Sequence, residues 1–387
     1  MRYLRILLVA GLLAGVAALL YTHLTKDLET YGIHDAHARP ISEQVPEGLA
    51  DMKASTCGSC HTEIYAEWQT TIHARSWSED YFQIDWAYDN KKQNCLNCHT
   101  PMKNQQTSLL VGFEDDDFWK PLLESNPDFD ASFQQEGVTC AACHVRNGSV
   151  MGPHGVEDAP HATTYNPAMR SGMEVCVRCH VTGATNEVSI GSPNICTTMN
   201  EIEAGNIQPN CIDCHMPPVT RPLVAGYPAR KGRHHYWRGG HDPAMVAKDL
   251  DIAIKQVAKK DGRFTYEINL TNIGTHHKLP TGTPDRNIVV TMSLLDEDKR
   301  IVKSKTHKIV RRILWRPIVF ELSDNRLEFN KPQTVEFSFN IESSSGRHFL
   351  NVKADYNFLE QWRRDQLALP ESSHAGYRLL EKVIEIQ

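Results

Sequence analysis

The chain has no excess of positive charge: 41 lysines and arginines stand against 47 aspartates and glutamates, a net of −6. That removes the basic field a nucleic-acid partner needs. No cysteine lies near the amino terminus, which excludes a lipid-modified anchor. Between residue 57 and about residue 245, sustained hydrophobic periodicity is missing, while glycine, proline and asparagine are frequent. A stretch without such runs cannot build its core from long amphipathic elements.

What that stretch does contain is one pattern repeated five times: Cys57-x-x-Cys60-His61, Cys95-x-x-Cys98-His99, Cys140-x-x-Cys143-His144, Cys176-x-x-Cys179-His180 and Cys211-x-x-Cys214-His215. Chance placement of these residue types would give about 0.015 copies. C-x-x-C-H is the attachment signature of c-type haem. Two thiols add to the two vinyl groups of one porphyrin, so they must sit one short turn apart. The adjacent histidine then falls under the iron as its proximal ligand. Zinc knuckles use four ligands from two cysteine pairs and explain neither the odd number of pairs nor the histidine after each. A disulfide framework gives no reason for that histidine either. The sequence therefore predicts five covalently bound haem c groups. Their core would be porphyrin faces wrapped by short helices and loops. Cys196, the eleventh cysteine, is left without an internal partner and reads as a buried small hydrophobe.

Residues 1–21 read as an export signal. Arg2 and Arg5 precede an uncharged apolar run over residues 6–20. A small-residue cleavage site is not evident, so the expectation is an uncleaved, single-pass anchor in the inner membrane, with a cleaved signal peptide as the alternative. Arg2 and Arg5 would stay cytoplasmic and the bulk of the chain would lie in the periplasm. Covalent haem is attached outside the cytoplasm, which agrees.

Four segments follow: the anchor (1–21), a polar linker (22–56), a pentahaem cytochrome c domain (57–249) and a β-sandwich (250–387). The last is read from alternation. Phe264, Tyr266, Ile268 and Leu270 alternate with polar residues, as do Ile288, Val290, Met292 and Leu294. Val335, Phe337, Phe339 and Ile341 repeat the pattern, then Leu350, Val352, Ala354 and Tyr356. Period two signals half-buried strands, and an antiparallel sandwich fits them. The expected fold class is thus an N-terminal membrane anchor, a haem-packed and mostly α/loop domain, and a C-terminal antiparallel β-sandwich. Residues 1–250 carry a net −10 and residues 251–387 a net +4. The basic run from Lys303 to Arg316 would face the acidic half, an acidic partner, or solvent.

Nineteen histidines exceed the five that follow cysteine pairs. The surplus suggests histidine as the second axial ligand, which gives lower potentials than methionine. His73 ends a helix expected to run from the first motif. His161 follows Pro160, His241 follows two glycines that permit close approach to a flat ring, and His277 precedes the stiff turn Lys278-Leu279-Pro280-Thr281-Gly282. These four are the expected distal ligands. His34, His37, His154, His234, His235 and His276 stand in reserve.

The run Cys57-x-x-Cys60-His61, Trp68, His73-Ala74, Cys95-x-x-Cys98-His99 resembles the opening of multihaem cytochromes of the cytochrome c-554 and hydroxylamine-oxidoreductase-related superfamily. Gly137-Val138-Thr139-Cys140-Ala141-Ala142-Cys143-His144 resembles that group's middle haem segment. The turn at His277–Gly282 resembles a junction found where a β domain follows the haems. The resemblance implies closely packed haem pairs, mostly bis-histidine iron and a redox role outside the cytoplasm, and it supports His73 and His277 as distal ligands.

The leading functional reading is an electron carrier without a substrate of its own. It would pass electrons from a quinol-linked respiratory donor to a periplasmic or outer-membrane acceptor. A second reading is a reductase or oxidase of a small nitrogen or sulfur compound, with one haem open to substrate. No C-x-x-C-K variant is present to mark such a haem. A third is a structural subunit of a multihaem complex, docked through the β domain.

Overall fold

The structure is a computed structural model. It describes residues 39–116, 120–154, 158–180, 198, 201–202, 210–314, 320–341, 346–373 and 375–386, together with 11, 12, 14 and 15. Cys196, His34 and His37 lie outside the described residues.

The expected membrane anchor needs correction. No helix among the described residues is long and apolar enough to cross a membrane. Most of residues 1–21 lie outside the described residues, and positions 11, 12, 14 and 15 are helical. The physical reason is length. Arg5 interrupts the apolar run, and the 15 residues from 6 to 20 rise only about 22 Å as a helix, short of the roughly 30 Å hydrocarbon core.

The haem-motif half is built of short pieces, and it holds more strand than a mostly α/loop reading allows. Four C-x-x-C-H segments are short helices or the ends of them, Gln93–His99, Cys140–His144, Met173–His180 and Cys211–His215, whereas the first starts in the helix Ala54–Gly58 and runs through a turn to His61, which precedes the helix Thr62–Gln69. Residues three and four apart share one helical face, so both cysteines and the histidine of each of these four helical motifs point the same way. Between them run β1 (Ser108–Phe113) with β2 (Pro121–Ser125), then β3 (Val145–Arg146), β4 (Ser149–Gly152) and β5 (Thr163–Tyr165), and then β6 (Pro218–Pro222) with β7 (Ala229–Arg233). These form two hairpins and a small three-stranded sheet.

Side-chain packing in this half is sparse. A small cluster joins Ile41, Met52, Met102, Phe133, Ala141, Ala142 and Val145. Polar contacts carry much of the rest. The Trp68 indole N–H donates to Val138 O at 2.9 Å, and Val138 N–H donates to His73 O at 3.0 Å. Gln105, fully buried, donates to Phe133 O and Gly137 O. Gly137 has φ +61°, and a Cβ there would lie 2.4 Å from Ser76 Oγ and 2.7 Å from His73 O. Only glycine admits both the dihedral and the contact.

The second half is an eight-stranded sandwich. One sheet runs β12 (Phe320–Asp324), β11 (Ile301–Leu314), β10 (Asn287–Leu295), β14 (Phe349–Asn357) and β15 (Gly376–Glu385). The other runs β13 (Gln333–Asn340), β9 (Arg263–Asn272) and β8 (Leu250–Lys260). The inner faces share one core: Ile268, Leu270, Ile288, Val290, Met292, Leu350, Val352 and Ala354 are fully buried within it. Each of these side chains larger than alanine contributes about 1.5–3 kcal/mol through burial.

The halves meet through specific polar contacts. Arg363 pairs with Asp85 at 2.6 Å, and the Tyr377 hydroxyl donates to Gly240 O at 2.7 Å. At a third point Arg326 and Glu201, each 4% exposed, pair at 2.6 Å, and Glu201 also accepts from Lys278 N–H and the Thr281 hydroxyl. That carboxylate locks the turn that carries His277.

Candidate haem sites

The ten motif cysteines all lie among the described residues. Several from different motifs lie side by side. Cys57 lies beside Cys140, Cys98 beside Cys179 and Cys176 beside Cys211. Cys143 also feels the charge of Cys179. The first motif adjoins the third, the third lies near the fourth, and the fourth adjoins both the second and the fifth. Cys60 and Cys214, at the two ends of this chain of contacts, are exposed, whereas the other eight are half-buried.

The motif histidines are held by backbone. The Nδ1 of His61 meets Leu223 O at 3.0 Å, that of His99 meets Ser76 O at 2.8 Å, and that of His144 meets Met151 O at 2.9 Å. His215 Nδ1 meets Arg238 O. A carbonyl can only accept, so each ring carries its proton on Nδ1 and presents the Nε2 lone pair. Burial holds His99 and His180 down to about 4 and also lowers His144. A neutral ring with a free Nε2 is what iron requires.

Three motif rings have a second imidazole close by. His61 lies 6.5 Å from His161, His180 lies 6.3 Å from His73, and His144 lies 6.2 Å from His235, centre to centre. A ring nitrogen binds such a metal at about 2.0 Å and lies about 1.2 Å from its ring centre, so two trans imidazoles stand about 6.3 Å apart. The spacing therefore fits one iron between each pair. His161 and His235 also turn Nδ1 to carbonyls, Ala162 O at 3.4 Å and Arg233 O at 3.0 Å. His73 and His235 are held down by burial, to about 3 and about 4.

The other expected ligands sit differently. His277 turns Nδ1 to Lys278 O at 2.9 Å, and its charged form is disfavoured first by burial and also by nearby His215. His241 is exposed, stacks on Phe358 at 4.2 Å, and its Nε2 accepts from Arg286 at 3.3 Å. Of the two glycines before it, Gly239 lies against His215, but Gly240 packs on the Tyr356 hydroxyl, carrying His241 toward the β domain. His99 stacks face to face with Phe82 at 3.6 Å, and Trp77 and Trp86 pack on that phenylalanine. Among the described residues no second imidazole faces His99 at the spacing of the three pairs. His234 binds Glu67 and His276 packs on Phe329.

Two residues outside the leading sequence candidates matter here. His235 was only a reserve; its signal was a place just beyond a basic segment that folds back as a hairpin. Glu67, 6% exposed, had no signal beyond its helical position beside Trp68. Its carboxylate takes Arg221 at 2.6 and 2.8 Å, His234 Nδ1 at 2.5 Å and His235 N–H at 2.7 Å. Burial alone would raise this carboxyl, but those three partners outweigh it and hold it at about 2. Glu67 thus ties the helix after the first motif to the segment bearing His235.

The family model "Cytochrome c554 and c-prime" matches residues 56–117. The crystal structure of a penta-heme cytochrome c552 from Thermochromatium tepidum superposes with a TM-score of 0.65 at 19% identity, covering 88% of this chain and 100% of that one. A structural-genomics target, SoR45, aligns over 36% of the chain and 88% of its own at 8% identity, with a TM-score of 0.19, and carries no weight. No curated protein matches. Paired thiols with an adjacent histidine, repeated along a chain of this fold, make the protein a multihaem c-type cytochrome with a C-terminal β domain.

Proposed function

We propose that the protein is an extracytoplasmic pentahaem electron-transfer cytochrome, with one haem c on each C-x-x-C-H motif. It carries electrons between a respiratory, quinol-linked donor and a periplasmic or outer-membrane acceptor. The observation that carries this reading is the facing of imidazoles at 6.2–6.5 Å on three motifs. When bound, haem iron held by two imidazoles supplies a one-electron couple with little rearrangement and no vacant position for substrate. His161, His73 and His235 serve as distal partners of His61, His180 and His144, and His277 as that of His215. The order of motif contacts gives a route from first to third to fourth to fifth, with the second motif as a branch. Exposed Cys60 and Cys214 mark its ends.

The test is reductive titration with optical monitoring. The reading expects stepwise uptake of five electrons per chain and rapid re-oxidation by an external acceptor. Uptake of fewer electrons by fully matured protein, or failure to pass them on, would overturn it.

One observation favours a second reading for the branch. The aromatic shell of Phe82, Trp77 and Trp86 beside His99 gives that motif a drier, differently built surrounding from the three imidazole pairs. In this reading the second haem is open to a small nitrogen or sulfur compound. Cyanide or nitric oxide binding to one haem of the native protein would support it.

A further inference from the structure

The segment from Met216 to Gly240 contains five cations, Arg221, Arg230, Lys231, Arg233 and Arg238, and no aspartate or glutamate. This stands against the trend of a half that carries −10 over residues 1–250. The fold makes β6 and β7 of this segment into a hairpin whose register sets Arg221 opposite Arg230 and Thr220 opposite Lys231. Three of the cations are neutralised within the chain. Arg221 pairs with Glu67 at 2.6 Å and approaches Glu63 at 3.7 Å, Arg233 pairs with Asp213 at 2.6 Å, and Arg238 pairs with Asp242 at 3.1 Å. Arg230 and Lys231 are exposed, and among the described residues neither makes an ion pair.

Position gives these two charges meaning. The turn of the hairpin supplies Leu223 O, which accepts from the Nδ1 of His61. The tip therefore rests on the first motif, whose Cys60 is one of the two exposed motif cysteines. Beside the charges stands Tyr227, 69% exposed, on the turn closed by Tyr227 N–H to Val224 O. An exposed aromatic on the same hairpin as two unpaired cations is the composition of a protein-docking patch, and unpaired charge near an entry point steers a partner of opposite sign.

We propose that the β6–β7 tip, through Arg230, Lys231 and Tyr227, docks a redox protein whose own electron exit is surrounded by carboxylates, placing it at the haem on Cys57 and Cys60. The inference rests on the electron-transfer reading above. In the encounter the partner's reduced centre would give up one electron to a haem held by Cys57, Cys60 and His61, with no bond made or broken.

The test uses the full haem-loaded chain and a reduced plant-type [2Fe–2S] ferredoxin as an acidic probe, with basic mitochondrial-type cytochrome c as control. Complex formation and the second-order rate of reduction are measured across ionic strength, alongside haem potentials. In Arg230→Glu/Lys231→Glu the ferredoxin rate at low salt should fall about tenfold or more, and the low-salt complex should be lost. The control should not slow, and all five potentials should stay in place. Arg230→Gln/Lys231→Gln should fall between the two. Unchanged binding and rate would overturn the proposal. So would a fall in one haem potential with steering intact, since the pair would then serve propionates. Binding of the native chain to phosphatidylserine vesicles in place of ferredoxin would also overturn it, by assigning the tip to a membrane. A native chain that dithionite reduces but ferredoxin does not would refute docking alone. A chain that takes no electrons from either would refute the electron-transfer reading itself.

Discussion

Glu67→Gln removes one negative charge from the most heavily engaged carboxylate of the haem-motif half. The change keeps size and shape, so the loss is electrostatic. A carboxyl held at about 2 rather than its ordinary 4.5 corresponds to about 3 kcal/mol of stability at neutral pH. A second route gives a similar size: the substitution leaves Arg221, only 11% exposed, with Glu63 at 3.7 Å as its nearest remaining carboxylate, and breaking a buried pair costs about 3–5 kcal/mol. The sign follows from the direction of the displacement. The folded carboxyl is depressed, so its contribution is complete above about pH 4.5 and is lost as pH falls through about 2. The native and variant proteins should therefore differ by about 3 kcal/mol in denaturant unfolding at neutral pH, and by about half of that near pH 3. Because Glu67 also accepts from His235 N–H, the variant should show a partly altered spectrum for one haem. A difference below about 1 kcal/mol, or one that does not shrink toward low pH, would refute the reasoning.

Other outcomes follow from single contacts. His277→Ala should convert one haem to high spin and raise one potential, read by paramagnetic resonance and potentiometry; an unchanged spectrum would make the turn purely structural. Gly137→Ala forces a Cβ to 2.4 Å from Ser76 Oγ at positive φ and should lower stability by about 1–3 kcal/mol in denaturant titration. Arg326→Met strands Glu201 in a site where both were 4% exposed, with a cost of about 3–5 kcal/mol and a loosened His277 turn. Ile288→Ala, in the centre of the sandwich core, should cost about 2–5 kcal/mol and leave the haem spectrum unchanged.

The β domain was legible because its strands bury one face, and period two writes that face directly into the sequence. Ile268, Val290, Phe337 and Val352 are all inside. The motifs were legible because covalent attachment demands fixed spacing. The strands of the haem-motif half were not, since β3 to β7 are two to five residues long and show no period. The apolar run at the amino terminus read as an anchor because composition was weighed above length. Facing imidazoles were hardest to read. His161 lies 100 positions from His61 and His235 lies 91 from His144, so no local pattern connects them. His241 drew notice for its flanking glycines, yet Gly240 serves the approach of Tyr356 rather than a flat ring.

The central claim, that facing histidines hold iron on three motifs, is tested most directly by low-temperature paramagnetic resonance of the fully oxidised protein with spin quantitation. The account predicts low-spin iron from at least the three haems on His61, His144 and His180. High-spin iron at most of the haems, or fewer than three low-spin centres per chain, would contradict it.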